Sequence, residues 1–241
     1  MSAVLRPISR LSLSESLYRQ LKDRIVCGAY RPGERLPSER TLSEDTGINR
    51  GAVREAVKRL QQAGLVAVRQ GGNHEVLDYR REAGPELLPS LLIDGKGMFQ
   101  LKVVRDLMAM RSTLAPEIAA AAALKGGAAL QARLQAVCNE MAQERTHVAE
   151  LQRLALDFWQ HVVDASDNVA YQLCFNAMRK SYLKAWKAMT VVMAEEFQDL
   201  VHLQALIDAV RQGDADAARL AARRHVDIGE QAIARWFKET T

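Results

Sequence analysis

The feature of this sequence that most constrains its fold is a series of three helical segments, each closed by a glycine, that runs directly into a short hairpin. Apolar residues recur every fourth position from Leu13 to Ile25, which predicts a first amphipathic helix. Ser38 and Asn49 are suited to cap the second and third helices, because their side-chain oxygens can accept a hydrogen bond from a first-turn N–H. The closing glycines, suited to the left-handed conformation that ends a helix, are Gly28, Gly47 and Gly64.

A β-hairpin is predicted to follow the third helix. Residues 65–68 form an apolar run of strand character, residues 75–77 can return beside it, and a glycine-rich turn lies between them at 70–73. The order helix, helix, turn, helix, hairpin is that of a winged helix-turn-helix. An α-helix fits the major groove of DNA and presents its first turn to the base edges. The sequence therefore predicts a DNA-binding domain over 1–78.

The positive charge of the chain is concentrated in this first part. Residues 1–80 contain 14 Lys and Arg against 9 Asp and Glu, whereas the remaining residues contain 19 against 20. Such an excess is expected of a domain that binds phosphate groups. The sequence shows neither a signal-peptide layout nor an apolar run near the ~18 residues of a membrane helix, so we expect a cytoplasmic protein with no membrane partner. Its three widely spaced cysteines argue against a disulfide framework.

The rest of the chain lacks strand signals. Glycine and proline are frequent over 79–97, which predicts a linker with one helical piece. Beyond it Ala, Leu and Met dominate, and residues 98–241 are expected to form a helical bundle. The predicted fold class is therefore mainly α: an N-terminal winged helix-turn-helix with a small β-hairpin wing, followed by an all-α bundle. The predicted helices span 98–124, 128–146, 148–166, 169–192, 195–212 and 214–238.

Two stretches of the first domain resemble the GntR family of bacterial repressors. Residues 31–40, which read Arg-Pro-Gly-Glu-Arg-Leu-Pro-Ser-Glu-Arg, resemble that family's PG-x-x-LPSER signature, and residues 53–66 resemble its recognition helix and first wing strand. The second domain is similar to that of the FadR subfamily, which has six or seven helices. Its markers are Arg111-x-x-Leu114-x-Pro116-Glu117, Phe158-x-x-x-Val162-x-x-Ala165-Ser166-x-Asn168, and Gly213-Asp214-x-x-x-Ala218 leading to His225.

This resemblance implies a DNA-binding transcription regulator, not an enzyme, with no catalytic residues. It implies a homodimer on a pseudopalindromic operator, one recognition helix per half-site, whose operator affinity is controlled by a small-molecule effector bound in the helical domain. Arginine at the recognition positions can make bidentate contacts to guanine. The residues at DNA-contacting positions are Arg40, Asn49, Arg50 and Arg54, with Gln70 and Gly71 at the wing tip.

Many FadR-subfamily effector domains hold a divalent metal through one Asp and three His. The residues that can supply such a set here are Asp157, His161, His202 and His225. Two observations oppose it. In the family's register, anchored on Phe158 and Gly213, the first three ligand positions hold Ala155, Trp159 and Leu203, and only His225 falls in place. In addition, helical periodicity puts Asp157 and His161 on the polar side of a helix whose apolar stripe contains Phe158.

We therefore expect no cofactor and a comparatively apolar pocket. The family's fatty-acid regulator also lacks the metal and senses long-chain acyl-CoA, and residues 76–91 and 165–178 resemble it. A fatty acid or acyl-CoA is thus the expected effector. The candidate pocket residues are Arg111, Trp159, Tyr182, Trp186 and His225.

Three alternatives stay open. The same class of regulator would sense a small carboxylate through a divalent metal held by the four residues above. A metal-dependent hydrolase would use the same four residues, but it leaves the first domain unexplained and no nucleophile-plus-base motif accompanies them. A helical adaptor that binds a protein partner would show no salt-dependent affinity for DNA. The residues do not indicate the operator sequence, or whether the regulator represses or activates.

Overall fold

The computed structural model describes residues 12–69, 73–94 and 96–240. The chain forms two compact units. The first runs up to Leu87 and includes Ile93–Met98, and the second comprises Leu88–Leu92 and the chain from Phe99 onward. None of the helices in the described part of the chain combines the length and hydropathy that a membrane crossing requires.

The first unit contains the predicted winged helix-turn-helix. Its hairpin is antiparallel, with Val66 opposite Val76. Residues 33–36 extend the wing on its other side, because the Leu36 N–H donates to the His74 carbonyl at 2.8 Å. The elements are α1 (Leu13–Val26), α2 (Glu39–Thr46), α3 (Arg50–Gln62), β1 (Val66–Val68), β2 (His74–Val76) and the short helix α4 (Tyr79–Glu82).

The predicted helix ends of this unit are present. The Ser38 hydroxyl accepts from the Thr41 N–H at 3.1 Å, and the Asn49 side chain accepts from the Ala52 N–H at 2.9 Å. Gly47 ends α2 with φ 67°, in the left-handed region. These caps fix where α3 begins, and so which of its residues lie in its first turn.

The second unit is helical throughout its described residues. Its longest helix bends at Gly127, where φ is 54°, so the break predicted at this point takes the form of a kink. The core lies where this helix packs against three others, and it buries Phe158, Leu134 and Leu206. The helices are α5 (Leu88–Leu91), α6 (Leu101–Gln143), α7 (Val148–Ala165), α8 (Val169–Lys184), α9 (Trp186–Val192), α10 (Ala194–Phe197), α11 (Leu200–Gln212) and α12 (Ala215–Thr240).

The structure differs from the prediction over 169–192, where one continuous helix was expected. That segment breaks at Ala185 into α8 and α9. A buried side chain from α7 contacts the chain just past this break, where the Gln152 amide donates to the Trp186 carbonyl at 3.0 Å. The segment 79–97, predicted as a linker with one helical piece, contains α4, a 3-10 turn at Pro85–Leu87 and α5.

Candidate functional site

The recognition helix α3 has one buried and one exposed face. Val53, Ala56 and Leu60 face the core of the first unit. Arg50, Arg54 and Lys58 are exposed and four residues apart, so they form a basic stripe along the opposite face. The sequence analysis did not single out Lys58, although its spacing from Arg54 was a sufficient signal.

Carboxylates lie next to the predicted DNA-contacting arginines. Arg54 Nε lies 3.5 Å from Glu39 Oε2, and Arg40 Nη1 lies 2.7 Å from Glu44 Oε1. Ion pairs this exposed contribute little to stability, because water screens them and long side chains lose freedom. Each guanidinium can therefore leave its carboxylate for a phosphate or a guanine edge.

Three of the predicted contact positions are not arginines: Asn49, Gln70 and Gly71. Asn49 uses its side-chain oxygen to cap α3, so its amide N–H groups are what it can offer a DNA acceptor. The wing-tip residues Gln70 and Gly71 lie outside the described residues, as does Gly72.

A cavity of about 120 Å³ lies within the second unit, lined mainly by α6, α7 and α8, with further residues from α9 and α10. Its wall is largely apolar. Methionine is unbranched and adaptable, so a wall rich in it can adjust to a flexible apolar ligand. The four methionines that line it are Met108, Met178, Met189 and Met193.

The charged group buried at the cavity wall is an ion pair. Arg111 on α6 donates to both carboxylate oxygens of Glu196 on α10, with Nη1 2.8 Å from Oε2. The Glu196 side chain is 3% exposed and that of Arg111 is 19% exposed. The carboxylate lies against Gly229 of α12, where a Cβ atom would overlap it. Glu196 is not among the pocket residues predicted from sequence, because the pair Glu195-Glu196 has the pattern of a solvated polar turn.

The buried side chain of Gln152 lines the cavity and forms hydrogen bonds with residues of α8 and α9. Gln152 on α7 donates to the Tyr182 hydroxyl and to the Trp186 carbonyl, both at 3.0 Å, and accepts from the Thr190 hydroxyl. Burial raises the pKa of Tyr182, so its phenol stays neutral. These bonds fix the orientation of the Tyr182 ring against the cavity.

Three of the five predicted pocket residues line the cavity: Arg111, Trp159 and Tyr182. The other two, Trp186 and His225, do not line it but contact residues that do. The Trp186 ring meets that of Tyr182 edge to face at 6.0 Å, and the His225 ring lies 6.1 Å from that of Trp159. The indole Nε1 of Trp159 is buried and has no hydrogen-bond partner among the described residues.

The residues do not fit the divalent metal that the family resemblance suggests. Trp159 lies beside His225, in agreement with the register in which an indole replaces a ligand. Asp157 is on the other side of α7, where its side chain is 49% exposed and accepts from Arg153 at 2.5 Å. An indole donates a proton and offers no lone pair to a metal. The described residues contain no cluster of three or more His, Cys, Asp or Glu suited to a metal.

Two of the candidate metal ligands, His202 and His225, both bond to the carboxylate of Asp199. Asp199 caps α11 and accepts from His202 Nδ1 at 2.9 Å and from His225 Nδ1 at 2.8 Å. Burial on its own would raise the pKa of Asp199, but the hydrogen bonds from His225 and His202 hold it below its ordinary value. His225 therefore ties α12 to the start of α11.

Comparison with known proteins gives matches along most of the chain. Residues 13–76 match the family described as bacterial regulatory proteins, gntR family, and residues 106–228 match the FCD domain. The HTH-type transcriptional regulator Mce2R of Mycobacterium tuberculosis is 37% identical over 229 residues, which cover 95% of each protein. The HTH-type transcriptional regulator YieP of Escherichia coli is 31% identical over 214 residues, which cover 86% of this chain and 89% of that protein.

Among solved structures, that of Lar, described as controlling the expression of the Listeria monocytogenes agr system, matches with a TM-score of 0.56. It covers 93% of this chain and 97% of that one at 16% identity, which shows the shared fold alone. The relatives are transcription regulators rather than enzymes. A helix-turn-helix of this kind implies DNA binding, and an FCD domain implies a small-molecule effector. The chain belongs to the gntR family of bacterial regulatory proteins, with an FCD domain as its second domain.

Proposed function

We propose that this protein is a homodimeric, cytoplasmic regulator of the FadR subfamily whose affinity for operator DNA changes when a fatty acid or fatty acyl-CoA binds in the second unit. The observation that carries this proposal is the cavity itself. Its wall is apolar and rich in methionine, and it includes Trp159, the residue that the family resemblance places at a metal-ligand position. An acyl chain suits such a wall, because each buried methylene group contributes about 0.8 kcal/mol.

On the DNA side, the proposed contacts come from Arg40, Asn49, Arg50 and Arg54, with Gln70 and Gly71 at the wing tip. Arg50 and Arg54 belong to the exposed basic stripe of α3, which supports their proposed contacts with the edges of bases. Two copies would place one recognition helix in each half of a pseudopalindromic operator.

The effector changes operator affinity only as far as it binds the two states of the regulator unequally. A long acyl chain requires more room than about 120 Å³. Rotation of methionine side chains can supply that room at low cost, because methionine has three flexible bonds. The repacking that accompanies binding then gives the ligand a means to favour one state.

A native mass spectrum of the purified protein tests the proposal. The expected result is a dimer free of divalent ions, with a co-purified mass that matches a fatty acid or an acyl-CoA. A dimer with one divalent ion per chain would overturn the metal-free assignment and favour a small carboxylate effector. A monomer at all concentrations would contradict the proposed arrangement on the operator.

A further inference from the structure

The ion pair between Arg111 and Glu196 is placed where a ligand would meet it. Both residues line the cavity, and both guanidinium contacts to the carboxylate are direct. The pair is bidentate, which is the geometry in which arginine binds a free carboxylate. Arg179, another arginine of the cavity wall, is exposed to solvent and so offers an anion much less.

We propose that Glu196 occupies the effector's carboxylate position in the ligand-free protein, and that a monocarboxylate with an apolar chain binds by displacing Glu196 from Arg111. This inference rests on the proposed acyl effector and narrows it to the free acid rather than its thioester. The thioester group of an acyl-CoA has no anionic oxygen to offer a guanidinium at the carboxyl position, since the phosphates of CoA lie at the far end of its pantetheine arm. It would therefore leave the Glu196 contact intact.

A displaced Glu196 has a new partner within reach. Its Oε1 lies 3.7 Å from His225 Nε2, and that nitrogen is buried without a hydrogen-bond partner among the described residues. Because His225 already bonds to Asp199 through Nδ1, the displaced carboxylate and Nε2 take up one proton from solvent, which then joins them by a hydrogen bond. Gly229, one turn beyond His225 on α12, has no Cβ atom that would overlap the carboxylate.

Displacement would also affect the surrounding helices. Glu196 lies on α10, a helix of four residues that is followed by the Asp199 cap of α11. Its bond to Arg111 ties α10 to α6, and its release removes that tie. The two positions of Glu196 thus provide two discrete arrangements of the α10 segment, which is what a ligand needs in order to shift a population.

The test compares octanoate with its neutral methyl ester in wild type and Glu196→Gln, by isothermal titration calorimetry. Glutamine keeps the shape of the side chain but removes the charge that competes for Arg111. Octanoate is expected to bind Glu196→Gln about tenfold more tightly than wild type. The affinity for methyl octanoate is expected to stay within about twofold, since the ester does not contact the guanidinium as an anion.

The matched control is Glu195→Gln, which removes the adjacent carboxylate. Glu195 is exposed and pairs with Arg235 at 2.6 Å, so its loss should leave both affinities unchanged. An equal gain for octanoate in both variants would overturn the proposal in favour of a general charge effect. An unchanged or weaker octanoate affinity in Glu196→Gln alone would also overturn it.

A second variant keeps the test valid if Glu196→Gln folds poorly. Arg111→Gln with Glu196→Gln removes both charges together and leaves a neutral amide pair. Methyl octanoate should still bind it, whereas octanoate should lose its advantage over the ester. If octanoate retains that advantage, Arg111 is not the anion site. If neither probe binds wild type or any variant, the proposed acyl effector itself is wrong and this inference is wrong with it.

Discussion

Arg54 is the side chain on which the DNA-binding assignment depends most. It is 71% exposed on α3, on the face opposite the buried residues. Arg54→Ala is expected to weaken specific operator binding by about 1–3 kcal/mol, the range for a bidentate contact to guanine. The free energy of unfolding should change by less than about 0.5 kcal/mol, because an exposed pair with Glu39 contributes little. Fluorescence anisotropy with labelled operator measures the first effect, and thermal unfolding measures the second.

The control for this experiment is Arg211→Ala in the second unit. Arg211 is 61% exposed and lies 3.5 Å from Asp208, so it matches Arg54 in exposure and pairing. Its removal should leave operator binding nearly unchanged. Equal losses in the two variants would mean that net charge alone accounts for the effect, and the assignment of Arg54 would fail.

Asp199 gives a prediction about acid stability. Its pKa is lowered in the folded protein, so the unfolded chain takes up this proton more readily than the folded one. The stabilisation is therefore present above the ordinary carboxyl value of 3.8 and is lost as the pH falls through the lowered one. Asp199→Asn still caps α11, but it should lower the free energy of unfolding at neutral pH by about 1–3 kcal/mol.

The same variant should lose less stability than wild type on acidification from about pH 5 to about pH 2, since it has no Asp199 carboxylate to protonate in that range. Chemical denaturation at a series of pH values measures this difference. Asp208→Asn, which removes an exposed carboxylate of the same helix, should instead follow the wild-type curve. Parallel curves for wild type and Asp199→Asn would contradict the role given to the histidine bonds.

At the scale of elements, the contact between α10 and α12 depends on Gly229. Alanine in the middle of a helix is ordinarily about 1 kcal/mol more favourable than glycine. Here a Cβ atom would overlap the Glu196 carboxylate and approach Met193. Gly229→Ala is therefore expected to lower the free energy of unfolding, despite its better helix propensity.

A double-mutant cycle separates the two effects. In the background Glu196→Ala, the carboxylate that would clash is gone, so Gly229→Ala should cost at least about 1 kcal/mol less than it does in wild type. Equal costs in the two backgrounds would show that the overlap with Glu196 does not limit the packing of α10 on α12. Urea unfolding of the four proteins gives the coupling energy.

The elements of the first unit could be predicted from sequence because local signals determine them. Ser38, Asn49 and Gly47 act within their own helix turns, and they form the expected caps. The break at Ala185 could not be predicted, since no glycine or proline marks it and the side chain that bonds beside it, Gln152, lies more than thirty residues earlier in the chain. Likewise, the buried carboxylate of Glu196 is stabilised by its hydrogen bonds from Arg111, which is 85 residues away in the chain. Contacts of this range leave no periodic trace in a sequence.

At the scale of the whole molecule, the predicted order of a winged helix-turn-helix and a helical bundle is confirmed. Helical periodicity predicts that Asp157 and His161 lie away from the buried face of α7. In the structure neither residue is buried. Of the five predicted pocket residues, Trp186 and His225 contact residues of the cavity wall but do not line it. Composition can suggest an apolar pocket, but its boundary is set by packing between helices.

A ligand in the cavity and operator DNA are expected to influence each other's binding. The most direct test measures octanoate affinity for the free protein and for its operator complex, together with operator affinity with and without saturating octanoate. Because linkage is reciprocal, both pairs of affinities are expected to change by the same factor, of about 5–150. If octanoate binds while operator affinity stays constant, the cavity is not the site that controls DNA binding.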